Sequence, residues 1–491
     1  MSRPLRLLIL GLDCAAPEIL LEDEDLPNVR RLMEAGRYGR LESVVPAITV
    51  PAWLCMSSSQ DPGTLGLYGF RNRPDRSYGP FQTVDGSTAR PPSLATQVAS
   101  EGGRVVQVGV PPSYPPRRVA GAVVGCFLTP DTERGVFTHP PELSDRIRAQ
   151  VGHYPVDVPD FRNVDRSVLR AQVLDMSRTQ FRVFRTLLAD EPWDLAHFVD
   201  IGLDRIQHAF WRHHDPAHPD HEPGGPWQDV VLDYYRHLDR EIGQVLAQVP
   251  DDTVVLLASD HGAQALQGGI CVNEWLIERG DLVLEEVPAA PTPLSELKVD
   301  WDRTRAWAAG GYYARIFLNV RGREPRGTIA PGEALAFREE LARELAAIRG
   351  PNGEPLETRV FRPEEIYREV RGVPPDVLVY FDDMRWRSVG SVGWGSLHVR
   401  ENDTGPDDCN HAPFGAFVLA APGLPPAGEV AGMHLLDVAP TLLTLAGYEV
   451  PQSMQGRARF GVAASDDEAS RDSRADRAAI RERLSGLGYL E

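Results

Sequence analysis

The sequence has few of the features that mark membrane-spanning or disulfide-stapled proteins. Its five cysteines are scattered and form no Cys-x-x-Cys pair, which argues against a disulfide framework and predicts small buried residues. No uninterrupted apolar run reaches the roughly 18–20 residues of a membrane-spanning helix, so we expect no membrane contact. Lysine is nearly absent, since Lys298 is the one lysine among the 51 basic residues. With the abundant Ala, Gly and Pro, this bias indicates a GC-rich genome rather than a functional adaptation.

Positive charge is also scarce relative to negative charge. The formal net charge is −19 at pH 7, which argues against a nucleic-acid scaffold or an anionic membrane surface as the partner. A small phosphorylated substrate stays compatible with this charge, because bound divalent cations reverse the field of an acidic site. Asp13 follows the apolar run Arg6–Leu12 where a signal peptide would carry small cleavage-site residues, so we expect a cytoplasmic protein.

Apolar runs and helical patterns alternate along most of the 491 residues. The near-continuous apolar character of the runs predicts strands of a mostly parallel sheet that is covered on both faces. The predicted strands are Arg6–Leu12, Arg104–Val110, Ala122–Phe127, Leu195–Gly202, Thr253–Ser259 and Gly415–Ala420. The predicted helices are Asn28–Ala35, Ser93–Glu101, Val168–Ala189, Asp229–Gln248 and Asp437–Leu445. This alternation predicts a doubly wound α/β fold, in which ligands bind beyond the carboxyl ends of the strands.

A region of different character interrupts this pattern. Residues 271–400 contain short strands, Gly/Pro breaks and one good helix, Pro331–Ile348, and predict a smaller α+β insertion. The α/β core then consists of residues 1–270 and 401–462. We expect the last stretch, 463–491, to begin as a polar linker and to end in a short amphipathic helix. Within the insertion, the GGYYAR segment (Gly310–Arg315) is either a glycine turn beside an edge strand or a wall of the functional site.

Side chains that can bind metal follow several of the predicted strands. Asp204 and His208 are four residues apart, so on a helix they share one face and can grip one ion. Asp260 and His261 are adjacent at a strand-to-loop turn, where neighbouring side chains can converge. The remaining candidates are an aspartate after the first strand and a histidine in the sequence CNHAP, Asp13 and His411. Mixed Asp and His ligation favours zinc, with manganese and iron as alternatives.

This inventory indicates phosphoryl chemistry. Three carboxylates and three imidazoles suffice for two divalent ions, and the hydroxyl of Thr49 is left over as a nucleophile. An isolated Asp–His pair is more often a hydrogen-bonded structural pair, so the specificity lies in the order of all the segments together. The histidine-rich stretch His213–His221 predicts a solvated loop, with an accessory metal site as the alternative.

The order of these segments resembles the alkaline phosphatase superfamily, in particular its type I phosphodiesterase/nucleotide pyrophosphatase branch. The resemblance runs from Arg6 to about Gly456. It is carried by the motifs GLD (11–13), ITVPAW (48–53), LDRIQHAFW (203–211), SDHG (259–262), NHAPFG (410–415) and LDVAPTLLTLAG (436–447). What it implies is a hydrolase that cleaves phosphodiester or pyrophosphate bonds with the help of two metal ions.

The resemblance also assigns roles to individual residues. The first ion would be held by Asp204, His208 and His411, and the second by Asp13, Asp260, His261 and Thr49. Thr49 would attack phosphorus and form a covalent phospho-threonine. Asn72, in the sequence GLYGFRN, would add a hydrogen bond to the phosphoryl group. This loop departs from the His-Gly-Ile type usual in the family, and an asparagine chosen for its turn geometry is the alternative.

Other members of the superfamily fit the sequence less well. A sulfatase would carry C/S-x-P-x-R, whereas Thr49 lies in TVPAW without an Arg two residues after the proline. A phosphoethanolamine transferase would have membrane helices, and a cofactor-independent phosphoglycerate mutase would have a large domain inserted after a Ser nucleophile. We therefore expect a phosphodiester, nucleotide or nucleotide-sugar substrate. A phosphomonoesterase, a phosphomutase, a phosphonate hydrolase and a noncatalytic metal-binding protein stay as alternatives.

Overall fold

A ten-stranded sheet forms the centre of the molecule. The computed structural model describes residues 3–401 and 403–460, so the predicted linker and helix at 463–491 lie outside the described residues. The strands are β1 (Arg6–Leu12), β2 (Arg37–Glu42), β3 (Val105–Val108), β4 (Gly121–Val124), β5 (Thr138–His139), β6 (Leu195–Asp200), β7 (Thr253–Ala258), β8 (Phe414–Ala420), β9 (Gly428–Glu429) and β10 (Met433–His434). They lie in the order β9-β2-β8-β7-β1-β6-β3-β4-β5, and β10 also pairs with β2.

The middle of this sheet is parallel, as the continuous apolar runs predict. Strands β7, β1, β6, β3 and β4 each run parallel to the next, which confirms a mostly parallel α/β sheet. The prediction of a parallel strand at Gly415–Ala420 is wrong, because β8 runs antiparallel to both β7 and β2. An apolar run indicates that both faces of a strand are buried, but it does not indicate whether the strand runs parallel or antiparallel to its neighbours.

Helices cover both faces of the sheet, and the side chains of β1 alternate between them. Leu8, Leu10 and Leu12 pack on one face against the helices Pro27–Ala35, Arg166–Asp190, Gly202–His214 and Val230–Leu246. Leu7 and Ile9 pack on the other face against the helices Thr49–Ser58, Leu94–Ser100 and Val438–Ala446. The fold is therefore doubly wound, with one apolar core on each side of the sheet.

A smaller sheet lies within the region predicted as an insertion. Its four strands follow the order Ala306–Ala309, Ala314–Leu318, Val377–Tyr380 and Arg359–Phe361. All neighbours in it are antiparallel. The helix Ala334–Ala346 packs on this sheet through Phe337, Leu341 and Leu345 and gives the region an apolar core of its own. The helix lies within the predicted range Pro331–Ile348.

Two small pairings lie beside the central sheet. Strand Gly262–Ala265 pairs antiparallel with Cys409–Ala412, and Gly268–Cys271 lies between Trp386–Val389 and His398–Val399. The remaining elements are the helices Pro17–Leu20, Pro62–Leu65, Leu143–Val151, Val272–Glu278 and Pro363–Ile366, the 3-10 turns Leu294–Glu296, Asp382–Met384 and Leu435–Asp437, and the hairpin of Arg71–Asn72 with Gln82–Thr83. Over residues 3–401 and 403–460, no helix has the length and apolar composition needed to cross a membrane.

Candidate metal centre

Three neighbouring strands end at the same edge of the sheet and place acidic side chains there. Asp13 directly follows β1, and Asp260 lies two residues beyond the end of β7. The helix Gly202–His214 begins two residues after β6 and carries Asp204 and His208 in its first two turns. Because β7, β1 and β6 are adjacent and parallel, their carboxyl ends bring side chains from distant parts of the sequence together.

One group of potential ligands consists of Asp204, His208 and His411. Nε2 of His208 lies 3.2 Å from Oδ1 of Asp204 and 3.4 Å from Nε2 of His411. Nε2 of His411 lies 3.7 Å from the same carboxylate oxygen. All three side chains are buried, and their ligand atoms lie within 4.8 Å of one another. The structure thus brings together the three residues that the resemblance assigns to the first ion.

A second group consists of Asp13, Asp260 and His261. Nε2 of His261 lies 3.2 Å from Oδ2 of Asp260 and 3.8 Å from Oδ1 of Asp13. These side chains are fully buried, and their ligand atoms also lie within 4.8 Å of one another. The set contains three of the four residues that the resemblance assigns to the second ion, and the fourth is Thr49.

The two groups adjoin because a short ribbon links their segments. Ala263, two residues after His261, pairs with His411 in the antiparallel ribbon of Gly262–Ala265 with Cys409–Ala412. The imidazole rings of His261 and His411 stack with their centroids 3.7 Å apart and their planes 17° apart. One histidine of each group therefore packs directly on one histidine of the other.

Thr49 lies at the border of the second group. It is the first residue of the helix Thr49–Ser58 and is 3% exposed. Its Oγ1 lies 3.3 Å from Nε2 of His261 and 3.4 Å from Oδ1 of Asp13. The first turn of a helix leaves backbone N–H groups without intrahelical partners, and its dipole favours anions there. The hydroxyl thus lies where a phosphoryl group would also be attracted.

Each of the three histidines has one ring nitrogen engaged by the protein. The Nδ1 acceptors of His208, His261 and His411 are Oδ1 of Asp407 at 2.6 Å, the Gly262 carbonyl at 3.3 Å and the Ala47 carbonyl at 3.0 Å. An Nδ1–H that donates to oxygen leaves the Nε2 lone pair free. All three Nε2 atoms are the ones that face the carboxylates.

Each of the three carboxylates likewise has one oxygen hydrogen-bonded by the protein. Oδ2 of Asp204 accepts from Arg205, Oδ1 of Asp260 accepts a backbone N–H at 3.3 Å, and Oδ2 of Asp13 accepts from Nε1 of Trp53 at 2.7 Å. Oδ1 of Asp204 and Oδ2 of Asp260 are buried without a hydrogen-bond partner among the described residues. Unpaired buried carboxylate oxygens are costly unless a cation satisfies them. The donor set therefore fits a divalent cation at each group.

Electrostatics in the site also favour cations. Burial raises the pKa of Asp13 well above its usual range, and the charge of Asp204 raises it further. Burial and the charge of Asp13 raise the pKa of Asp260 in the same way. Burial lowers the pKa of His261 to about 4. Burial acts to raise the pKa of Asp204, but the charge and hydrogen bond of His208, together with the charges of Arg205 and His411, outweigh it and hold that pKa well below normal. Protons on crowded carboxylates are the ones that a bound metal displaces.

Three residues that the sequence did not assign to the site contact its ligands. Trp53 holds Asp13, and Asp407 holds His208. The ring of Tyr312 stacks on His411 with centroids 4.0 Å apart and planes 22° apart, so the GGYYAR segment forms a wall of the site. The sequence offers one signal for these contacts, the acidic pair of DDCNH just before His411.

Two other sequence expectations concern residues around the site. The side chain of Asn72 is engaged within its own loop, where Oδ1 accepts from the Tyr68 N–H at 2.7 Å and Nδ2 donates to the Gly69 carbonyl at 3.1 Å. Its predicted contact with a phosphoryl group stays a prediction. Within the described residues, the ligand clusters that come close enough for one ion include none from His213–His221.

Comparison with known proteins identifies the family. The model of the type I phosphodiesterase/nucleotide pyrophosphatase family matches residues 7–407. The chain belongs to this family. It is therefore a phosphoric ester hydrolase of the phosphodiesterase/pyrophosphatase type, within the alkaline phosphatase superfamily. The match ends four residues before His411. A search of curated proteins returned no match.

Solved structures show the same fold at low identity. Human ectonucleotide pyrophosphatase/phosphodiesterase 5 aligns at a TM-score of 0.51 with 12% identity, over 92% of this chain and 97% of that chain. Phosphonoacetate hydrolase from Sinorhizobium meliloti 1021, in complex with phosphonoformate, aligns at 0.59 with 16% identity, over 90% of this chain and 96% of that chain. At these identities the likeness establishes the fold, while the chemistry has to be argued from the side chains.

Proposed function

We propose that this protein is a two-metal hydrolase that cleaves phosphodiester or pyrophosphate bonds through a covalent phospho-threonine at Thr49. The observation that supports it most is the arrangement of the six Asp and His side chains. In each of these side chains, one polar atom is hydrogen-bonded to the surrounding protein, and another polar atom faces the other potential ligands of the same group. A structural hydrogen-bond cluster would satisfy both polar ends of its carboxylates, and this one leaves two oxygens unpaired.

Zinc is the ion that suits this donor set best. Three imidazole nitrogens and three carboxylate oxygens are typical zinc ligands, and manganese or iron are the alternatives. Asp204, His208 and His411 would hold one ion, and Asp13, Asp260, His261 and the Thr49 hydroxyl would hold the other. When bound, the two ions supply positive charge that lowers the pKa of the threonine hydroxyl and balances charge on the attacking and leaving oxygens.

The reaction then proceeds in two steps at Thr49. In the first step a bond forms between Oγ1 and phosphorus, the bond to the leaving oxygen on the opposite side of phosphorus breaks, and the hydroxyl proton of Thr49 passes to that leaving oxygen. Oγ1 lies beside Asp13 and His261, so the leaving oxygen departs toward Asp204, His208 and His411. In the second step water attacks phosphorus, the bond to Oγ1 breaks, and the threonine regains its proton.

Burial of the site supports this assignment of roles. Thr49 is 3% exposed, and none of the six ligand residues exceeds 2%. Electrostatic interactions strengthen where water is excluded. The N-terminal turn of the helix Thr49–Ser58 adds backbone N–H groups that favour the charge of the phosphoryl oxygens.

The substrate we favour is a small phosphodiester, nucleotide or nucleotide sugar. A phosphomonoesterase of this superfamily would add an arginine just beyond the nucleophile, and the sequence TVPAW supplies none. A screen should compare bis-p-nitrophenyl phosphate with p-nitrophenyl phosphate. Phosphonoacetate belongs in the same screen, because one structural neighbour is a phosphonoacetate hydrolase.

The covalent step can be tested directly. The zinc- or manganese-loaded protein is mixed with bis-p-nitrophenyl phosphate, quenched with acid and digested, and peptides are analysed by mass spectrometry. We expect a phosphorylated derivative on the peptide that contains Thr49. Thr49→Ala should lose this adduct and about 10³-fold or more of turnover while it keeps most of its metal. Thr83→Ala, at an exposed threonine of the strand Gln82–Thr83, is the control and should retain both.

Two outcomes would contradict the proposal. Full turnover by Thr49→Ala would exclude the covalent mechanism. A wild-type protein that retains fewer than two divalent ions after loading would exclude the two-metal site.

A further inference from the structure

A buried carboxylate outside the proposed ligand set bonds to one of the ligands. The side chain of Asp407 is fully buried, and its Oδ1 lies 2.6 Å from Nδ1 of His208. Its Oδ2 accepts a hydrogen bond from Arg162 at 2.9 Å and another from Arg387. Both oxygens are thus engaged, one by a ligand histidine and the other by two guanidinium groups.

Separate parts of the chain converge on this carboxylate. Arg162 precedes the helix Arg166–Asp190, and Arg387 belongs to the strand Trp386–Val389. Arg162 also donates to the hydroxyl of Tyr312 at 3.1 Å, and the Arg387 guanidinium lies 4.7 Å from the centre of the Tyr312 ring. The network leaves Asp407 little freedom to turn, because two donors hold the oxygen that does not contact His208.

The contact reaches the side of His208 that faces away from the carboxylate of Asp204. Nε2 of His208 lies 3.2 Å from Oδ1 of Asp204, and Nδ1 is the opposite nitrogen of the ring. A carboxylate that accepts Nδ1–H fixes both the ring orientation and the tautomer, and it makes Nε2 a better ligand.

We propose that Asp407 is a positioning residue that holds His208 in the orientation and tautomer needed to bind one of the two ions. This inference rests on the proposed function, because it requires that His208 is a ligand. In His261 and His411, the Nδ1 atoms are oriented in the same way by neutral carbonyl oxygens. His208 is the one of these three ligand histidines whose Nδ1 partner is a carboxylate.

The neighbouring residue provides a matched control. Asp408 is also buried, at 1% exposure, and its carboxylate is held by Arg212 at 2.6 Å and Arg166 at 3.5 Å. These contacts join Asp408 to guanidinium groups and not to the imidazole of His208. The change from Asp to Asn is therefore the same in chemistry and burial at both positions, and it differs in what the carboxylate contacts.

The expected effect of Asp407→Asn follows from a count of acceptors. An amide has one oxygen, for which the N–H of His208 and the donors of Arg162 and Arg387 compete. If the guanidinium groups take the oxygen, the amide nitrogen faces Nδ1 and favours the wrong tautomer. Asp407→Ala removes the acceptor outright, so the two variants together cover either orientation of the amide.

The test measures zinc affinity of the full-length protein by competition with a chromogenic chelator. The wild type should bind two ions. We expect Asp407→Ala to lower the affinity for one zinc ion by about 10–100-fold and to leave the affinity for the other unchanged. Asp407→Asn should do the same if its amide turns as described. Asp408→Asn should bind both as the wild type does. Thermal unfolding of each zinc-loaded variant verifies that it is folded.

A second readout reports the histidine itself. In the zinc-loaded protein labelled with ¹⁵N-histidine, His208→Gln assigns the Nδ1–H signal of His208. That proton should exchange faster with water in Asp407→Ala and stay protected in Asp408→Asn. A purely structural role of Asp407 would not single out this proton.

The possible outcomes distinguish failure of the positioning role of Asp407 from failure of the proposed two-metal function. The positioning role would be overturned if Asp407→Ala bound two ions with wild-type affinities and its His208 proton stayed protected. Complete loss of one ion from that variant would overturn it too, because Asp407 would then be a ligand. A wild-type protein that binds fewer than two ions would instead contradict the proposed function.

Discussion

The indole Nε1 of Trp53 donates a hydrogen bond of 2.7 Å to Oδ2 of Asp13. Trp53 is fully buried four residues after Thr49, on the helix that Thr49 begins. One short helix therefore presents the proposed nucleophile and also orients a carboxylate of the second group. The carboxylate oxygen that Trp53 does not hold is the one nearest to the threonine hydroxyl, at 3.4 Å.

Trp53→Phe should lower zinc affinity at the group of Asp13, Asp260 and His261. The substitution removes the N–H donor and leaves the Asp13 carboxylate free to rotate. We expect turnover to fall at limiting zinc and to recover largely when zinc is in excess, because the ligands themselves are intact. A zinc titration of turnover checks this. Identical titration curves for the variant and the wild type would show that the indole does not orient the carboxylate.

Gly11→Ala should disturb the same contact from the other side. A Cβ at position 11 would lie 2.5 Å from Cη2 of Trp53 and 2.8 Å from Cγ2 of Val199. Both side chains are buried, so we expect a cost of about 1–3 kcal/mol in the free energy of unfolding, together with weaker zinc binding. Urea denaturation measures the cost. Gly332→Ala, where a Cβ would meet open space, is the control and should change stability by less than about 0.5 kcal/mol.

Zinc should stabilise the protein more at pH 8 than at pH 5. Without metal, burial raises the pKa values of Asp13 and Asp260, and the charges of Asp204 and Asp13 respectively raise them further. The folded state therefore binds protons that the unfolded state lacks. The metal-free protein then loses stability as pH rises above the usual carboxyl range, and bound zinc removes this loss. Thermal unfolding with zinc and with EDTA at both pH values tests this. Equal shifts of Tm at pH 5 and pH 8 would contradict it.

His237, which lies outside the metal site, should make the protein less stable as pH decreases. It is 3% exposed, and burial, followed by the charges of Arg178 and Arg240, lowers its pKa to about 4. Between pH 6.5 and about 4 the unfolded chain binds a proton that the folded protein does not. The free energy of unfolding therefore falls as pH decreases through this window, by up to about 1.4 kcal/mol per pH unit.

His237→Gln should remove this contribution. The amide can still donate to Ser177, whose Oγ lies 3.1 Å from Nε2 of His237. Between pH 7.5 and pH 5 we expect the zinc-loaded wild type to lose about 2 kcal/mol more than the variant. Urea denaturation at both pH values supplies the comparison, and parallel losses in the two proteins would argue against it.

The sequence predicts the central strands well because their burial is complete. In β1, β6 and β7 nearly every position is buried, and such runs look the same in the sequence whatever surrounds them. The acidic residues that follow these runs then indicate the edge at which the site forms. The resemblance to the family added the pairing of ligands into two groups, which spacing alone does not give.

The helix Thr49–Ser58 is an element that the sequence patterns did not predict. Nine of its ten residues are buried, so it lacks the polar face that makes an amphipathic helix recognisable. Pro51 in its first turn reads as a helix breaker, although proline is tolerated there. The contacts of Asp407 and Tyr312 depend on how the smaller sheet lies against the core, and no local pattern encodes that placement.

The ligands of the centre are spread from Asp13 to His411 along the chain. During synthesis, the group of Asp13, Asp260 and His261 is complete once residue 261 has emerged from the ribosome. The group of Asp204 and His208 must wait for His411, which arrives only after the whole smaller sheet has been made. On the two-metal proposal, a nascent chain would therefore bind its two ions at different times, and the ion at Asp204 and His208 would bind only after His411 has been made.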